Sequence, residues 1–266
     1  MSSHCVSNEI QSEQSGETVP QVRKTIIPLI VGLMCTSFTI IPTLQNTSSP
    51  SAAMVSPVTV TDSSNTVSTA ADNIYAGADL QTAGLSKQAF EYAWTGYQHL
   101  LNQGKISRSN YLTICDFSQS SKQKRLYIID IEHQELVTNT YVAHGKNSGA
   151  EYATSFSNKP ESLQSSLGFY ITANTYIGEH GLSLRINGVD RGYNDKALER
   201  TIVIHGAAYV DGARVRSGGY MGRSWGCPAV PEKESAAIIT TIKNGTCLFI
   251  YHPSKQYLQG STILNG

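Results

Sequence analysis

From Tyr111 onward the apolar residues of this chain recur with a period of two, in short runs separated by polar turns. That spacing is the strongest constraint on its fold. Tyr111–Phe117, Leu126–Ile131, Glu135–Ala143, Leu167–Thr172, Leu182–Ile186, Thr201–Ile204 and Thr246–Tyr251 read as strands, because side chains alternate between the two faces of a sheet. Helical spacing occurs in two places. Ser86 to Gln103 carries Ala89, Phe90, Ala93, Trp94, Tyr97, Leu100 and Leu101 at intervals of three and four, with Ser86 as N-cap and Gly104 as stop. Glu232 to Lys243 repeats the pattern and ends at Asn244-Gly245. Many short strands with little helix predict a mainly β domain over residues 85–266.

The segment before that domain has another character. Arg23-Lys24 precedes an apolar stretch, Thr25–Leu44, interrupted by Pro28 and Pro42. Its uninterrupted part, Leu29–Ile41, has the length of a signal-peptide core and is shorter than the roughly 20 residues of a spanning helix. Ser51-Ala52-Ala53 supplies the small residues a signal peptidase needs. Residues 1–53 therefore read as a targeting segment, either cleaved near Ala53 or retained as an inner-membrane anchor through residues 25–44. The basic pair holds the N-terminus in the cytoplasm in both cases. Residues 54–84, rich in Ser, Thr, Ala and Asn, predict a flexible linker. The expected location is the periplasm or cell envelope.

Net charge is +0 and only 15% of residues are charged, so no basic surface for nucleic acid is encoded. No CxxC or Cys/His spacing suggests a metal, and no cofactor motif is present. Cys5 and Cys35 fall in the targeting segment, which leaves Cys115, Cys227 and Cys247. An odd number in an oxidising compartment leaves a thiol without an intrachain partner. Cys115 and Cys247 sit in strand runs and read as two buried thiols rather than a bridge.

Cys227 is different. It lies in a glycine-rich turn, Gly222-Arg-Ser-Trp-Gly-Cys-Pro228, downstream of a strand that ends at His205-Gly206. A thiol with a nearby imidazole is a nucleophile with its base, and the base is needed because only a few per cent of a free thiol is ionised at neutral pH. The backbone N–H groups of Trp225, Gly226 and Cys227 are the candidate oxyanion hole, with glycine letting the turn expose them. Ser224 and Gly222 shape the turn. His144 and His180, each followed by glycine, are candidates to line the cleft, and Arg200 and Arg214 are candidates to bind carboxylates.

His precedes Cys, whereas papain-like enzymes place the cysteine first, and the Thr-Leu-x-Thr-Cys signature of sortases is missing. His205-Gly206 followed by Ser224-Trp-Gly-Cys227, with Val142-Ala-His-Gly-Lys-Asn-Ser-Gly149 and Ser166-Leu-Gly-Phe-Tyr-Ile171 upstream, resembles the YkuD-like L,D-transpeptidase catalytic domain. The murein L,D-transpeptidase branch is nearest, and the resemblance covers residues from about 110 to 252. Trp225 stands where the family often has His or Lys, and Ala229 where Arg or Asn is common. The loop between His205 and Cys227 is longer than usual. The resemblance implies a β-sandwich with one N-terminal helix and one helix after the catalytic cysteine. It also implies that the Gly206 carbonyl orients His205, and that Gly168 belongs to a substrate-binding element. The implied activity is an acyltransferase that forms 3–3 cross-links between peptidoglycan stem peptides through a Cys227 thioester. An envelope lipoprotein is an alternative acceptor, and water would make the enzyme an L,D-carboxypeptidase. A different envelope thiol hydrolase and a non-catalytic wall-binding β domain remain the other readings.

Overall fold

The computed structural model describes residues 63–221 and 223–266. The expected targeting segment 1–53, residues 54–62 of the expected linker, and Gly222 lie outside the described residues. Eight strands are present: β1 (Tyr111–Asp116), β2 (Leu126–Asp130), β3 (Glu135–Thr140), β4 (Gly168–Gly178), β5 (Gly181–Gly188), β6 (Val203–Ala207), β7 (Ala229–Pro231) and β8 (Cys247–Tyr251). They form one sheet in the order β3-β2-β1-β8-β4-β5-β6-β7. Neighbours are antiparallel except at β1–β8 and β6–β7. The domain is mainly β, as the spacing predicts. β7 escapes sequence reading because three residues ending in proline carry no usable period, and proline is tolerated there because the strand is at an edge.

The two predicted helices are α2 (Lys87–Asn102) and α4 (Glu232–Ile242). Ser86 Oγ accepts the Ala89 N–H at 3.1 Å, so the predicted cap closes α2. α2 buries Phe90, Trp94, Tyr97 and Leu100. It comes so near β4 that a Cβ on Gly96 would lie 2.0 Å from the Phe169 ring. Phe169 in turn stacks on Phe249 of β8 at 4.1 Å. Short helices α3 (Gly212–Arg216), α5 (Lys255–Gly260) and α6 (Thr262–Asn265) complete the set after α1 (Ser63–Gly77). Among the described residues no helix is long and apolar enough to cross a membrane.

Helix α1 corrects the expectation of a flexible linker over residues 54–84. The described residues belong to a single unit, and Ala71, Ile74, Tyr75, Ala78 and Leu80 are all buried in its core. Tyr75 donates its hydroxyl to the Leu85 carbonyl at 2.6 Å and packs on Phe90. The first four recur at i, i+3, i+4 and i+7, a helix face. Two of them are alanines, so the stripe is present but weakly hydrophobic, and a compositional reading takes it for linker.

Two buried polar features set the geometry near the site. Asp190, fully buried, accepts the Phe169 N–H at 2.8 Å and the hydroxyls of Tyr257 at 2.9 Å and Ser261 at 2.6 Å. It thereby ties α5 and α6 to β4. Gly168, at φ +117°, exists for this carboxylate: a Cβ there would stand 2.6 Å from Asp190 Oδ2. It packs against structure rather than facing substrate, contrary to the expectation for it. The second feature is Arg125, also fully buried. It donates from Nε to the Val142 carbonyl, from Nη1 to the Gln119 carbonyl at 2.8 Å, and from Nη2 to His144 Nδ1 at 2.7 Å. Its guanidinium lies 4.8 Å from the Phe117 ring centroid. Burial brings its pKa down to about 10.

Candidate active site

Strand β6 carries the histidine and the β6–β7 pairing brings the cysteine to it. His205 is opposite Ala229 and Gly206 is opposite Val230, in parallel register. Carried back two residues, that register sets Cys227 beside Val203, and the Val203 N–H donates to Cys227 Sγ at 3.5 Å. The thiol points its proton at the Thr201 carbonyl, 3.9 Å away. Thr201 holds φ at +53°, a conformation that β-branched residues rarely adopt. The chain is thus bent sharply two residues before β6 to aim that carbonyl.

The imidazole of His205 is held from one side. Its Nδ1 donates to the Gly206 carbonyl at 2.9 Å, which leaves Nε2 as the basic nitrogen. Gly206 has a second role: a Cβ on it would lie 2.7 Å from Ser235 Oγ of α4, so only glycine lets that helix pack behind β6. His180, at the tip of the β4–β5 hairpin, stacks on His205 with ring centroids 4.3 Å apart. Burial pushes the His205 pKa below its ordinary value; the Gly206 carbonyl opposes this and His180 adds to it. Burial raises the Cys227 pKa, against the Val203 N–H and the Arg200 charge. Both shifts favour the neutral thiol and the neutral imidazole over the ion pair. Thiol and imidazole are not hydrogen-bonded to each other, a looseness common in substrate-free sites.

The turn that presents the thiol is built around Ser224. Ser224 Oγ donates to the Cys227 carbonyl at 2.5 Å and accepts the Gly226 N–H at 3.1 Å. The Gly226 N–H is consequently committed inside the turn, which removes it from the expected oxyanion donors. The N–H groups of Trp225 and Cys227 have no acceptor among the described residues and remain for that role. Gly226 sits at φ +122°, and a Cβ would meet the Gln164 carbonyl at 2.7 Å. No other residue fits. The turn is also zipped to the segment after β3: the Ser224 N–H donates to the His144 carbonyl at 2.9 Å, and the Lys146 N–H to the Ser224 carbonyl at 2.7 Å.

The other expected contacts divide. His180 reaches the site, as its ring stack shows. His144 does not line a cleft. It is fully buried, accepts from Arg125 on Nδ1 and donates from Nε2 to the Gly149 carbonyl at 3.3 Å. Burial and then the Arg125 charge bring its pKa down to about 4. Arg200 spends its guanidinium on the neighbouring loop, donating to the carbonyls of Ser157 at 2.7 Å and Gln164 at 2.6 Å and to the hydroxyls of Ser162 and Ser166. It orders the loop beside Cys227 rather than offering itself to a ligand. Arg214, on α3, donates to the Tyr220 carbonyl at 2.8 Å and holds the loop between His205 and Cys227. Tyr209 in that loop was not singled out from sequence. Burial raises its hydroxyl to about 12, and Cys227, when ionised, adds to the rise.

The family model for the L,D-transpeptidase catalytic domain matches residues 81–251. Solved structures similar to the chain include an L,D-transpeptidase from Mycobacterium smegmatis, 12% identical, covering 54% of this chain and 59% of that one with a TM-score of 0.33. An Enterococcus faecium L,D-transpeptidase is 10% identical over 53% of this chain and 50% of that one, with a TM-score of 0.34. One from Xylanimonas cellulosilytica is 16% identical over 63% and 81%, with a TM-score of 0.30. The chain spans 59% and 50% of the first two proteins' lengths. No curated protein sequence matches it. A family model that matches most of the chain, over a region that holds both His205 and Cys227, makes this protein a member of the L,D-transpeptidase catalytic domain family.

Proposed function

We propose that the protein is an exported, cysteine-dependent L,D-transpeptidase that joins peptidoglycan stem peptides by 3–3 cross-links. The observation that carries this reading is the pairing of β6 with the turn after it: His205 is fixed by the Gly206 carbonyl with Nε2 free, on the strand whose Val203 N–H meets the Cys227 sulfur. In the first step His205 Nε2 takes the thiol proton and Sγ attacks the carbonyl carbon of residue three of a donor stem. The N–H groups of Trp225 and Cys227 receive the developing oxyanion. Losing one such donor typically costs on the order of 100-fold in rate. The amide C–N bond then breaks, the imidazolium proton passes to the departing amine, and terminal D-alanine leaves a thioester behind. In the second step the side-chain amine of residue three in another stem attacks that thioester. The C–S bond breaks and the thiolate recovers its proton through His205.

Export rests on the Thr25–Leu44 segment and the small residues at Ser51–Ala53. Retention as an anchor, and an envelope lipoprotein as acceptor, belong to the same proposal as variants of it. The test is mass spectrometry of the protein after exposure to a carbapenem and, separately, to tetrapeptide stems. The expected outcome is an adduct on Cys227, release of D-alanine and a cross-linked dimer, all absent in Cys227→Ala. Absence of both adduct and D-alanine release would remove the catalytic reading. Release of D-alanine without dimer would make the protein an L,D-carboxypeptidase.

A further inference from the structure

Beside the turn that carries Cys227 stands a cation that no described residue neutralises. Lys146 is anchored by its backbone, which donates to the Ser224 carbonyl at 2.7 Å, and Gly145 bridges to the same residue. Its side chain is placed as well, with Nζ 5.7 Å from the centroid of the Trp225 ring. That indole is 74% exposed, so its face is open to a ligand. Lys146 forms no ion pair among the described residues. Of the charged groups around it, Arg223, which lies over Tyr220, and Lys159 are themselves cations, and Glu161 on the loop packed alongside forms no ion pair with it. The turn thus presents an aromatic shelf with an unpaired ammonium on it, two residues before Cys227.

We infer that Lys146 and Trp225 form a subsite for the free C-terminal carboxylate of the residue that the reaction displaces. The inference rests on the transpeptidase reading. In a donor ending at residue four, that carboxylate carbon is three bonds from the carbonyl carbon under attack. It is the donor charge nearest the reacting atoms. With the carbonyl oxygen directed at the Trp225 and Cys227 N–H groups, the carboxylate is carried toward the flank of the same turn, where Lys146 Nζ is held. The indole face keeps the lysine stem extended over the turn and excludes water from one side of the pair, which strengthens the attraction. Trp225 replaces the His or Lys common at that motif position. The cation is supplied here from Lys146 on the adjoining segment instead. The subsite makes the enzyme selective for donors in which a single residue with a free carboxylate follows the scissile bond, and against amidated or longer stems.

The test separates this inference from catalysis by using full-length Cys227→Ala, which cannot turn over, and measuring binding by titration calorimetry. The probes are a synthetic tetrapeptide stem as the free acid and the same peptide as its C-terminal carboxamide. The acid should bind about tenfold more tightly than the amide, the size expected of one partly exposed charge pair. Adding Lys146→Met should erase that difference while leaving the amide's affinity within about twofold, and Lys146→Arg should retain it. Equal affinities for acid and amide, binding of neither, or a Lys146→Met loss that falls equally on both would overturn the subsite. Carbapenem acylation of the unsubstituted protein decides the catalytic reading independently, so failure of one is distinguishable from failure of the other.

Discussion

A buried histidine that accepts a hydrogen bond from a buried arginine can stay in place only while neutral. His144 meets that condition: Arg125 Nη2 donates to its Nδ1 at 2.7 Å, and its pKa is down to about 4 from an ordinary 6.5. In the unfolded chain the same ring takes up a proton near 6.5. The unfolded state therefore binds more protons between those two values, and stability that is complete above pH 6.5 declines as pH falls toward 4. The loss should reach about 3 kcal/mol from this residue. His205 and His252, also pushed down by burial, act in the same direction. Urea unfolding at pH 7, 5.5 and 4.5 should show a falling midpoint, and His144→Asn should flatten its slope. A midpoint that does not move over this range would contradict the neutral Arg125–His144 pair. From sequence, His144 looks like a cleft residue, because His-Gly at a strand end has the same spelling whether the ring faces ligand or interior. What decided the matter was Arg125, nineteen positions away and with no local signal to connect the two.

Among the elements, α1 and α2 show the two ways in which helices can be read. α2 declares itself through large side chains at helical spacing and a serine cap, and the structure follows it nearly residue by residue. α1 has the same geometry with smaller residues, so its strong anchors are two, Ile74, 4% exposed against the core, and its neighbour Tyr75. Replacing Ile74 with Ala should cost about 3 kcal/mol, read as a lower midpoint in urea. An unchanged midpoint would restore the linker interpretation of residues 63–84. The elements that carry His205 and Cys227 divide similarly. β6 and the Cys227 turn were legible because chemistry restricts their residue types. β7, which pairs the two, was not, because three residues leave no pattern. The commitment of the Gly226 N–H to Ser224 Oγ was equally hidden: a turn sequence names its glycines but not which of its amides are already occupied.

At the scale of the whole molecule the sheet register assigns different fates to three thiols. Cys115 lies opposite Ile250 and Cys247 opposite Leu112 on the paired β1 and β8. Three residue steps separate them along the strands, about 10 Å, too far for a disulfide. Both are fully buried, which raises Cys115 to about 12 and lifts Cys247 as well. Cys227 alone of the three is partly exposed. Alkylation of the native protein followed by peptide mapping should label Cys227 first, with Cys115 and Cys247 reacting only on unfolding. Early labelling of either strand cysteine would show that the β1–β8 seam opens in the native state.

That seam also fixes when the protein becomes a protein. β8, within the last twenty residues of the chain, sits between β1 and β4 near the middle of the sheet, and its contact with β1 joins Leu112 to Cys247, 135 positions apart. During synthesis the ribosome delivers β1–β2–β3 and β4–β5–β6 long before the strand that must lie between them. Until it arrives, two half-sheets each show an open edge, and the closing contact is of the long-range kind that folds slowly. The turn that carries Cys227 and the helix behind β6 also follow β6 in the chain, so a chain still lacking β8 has an unfinished sheet around that thiol. Topology makes completion of the sheet wait for β8, whatever has been built before it.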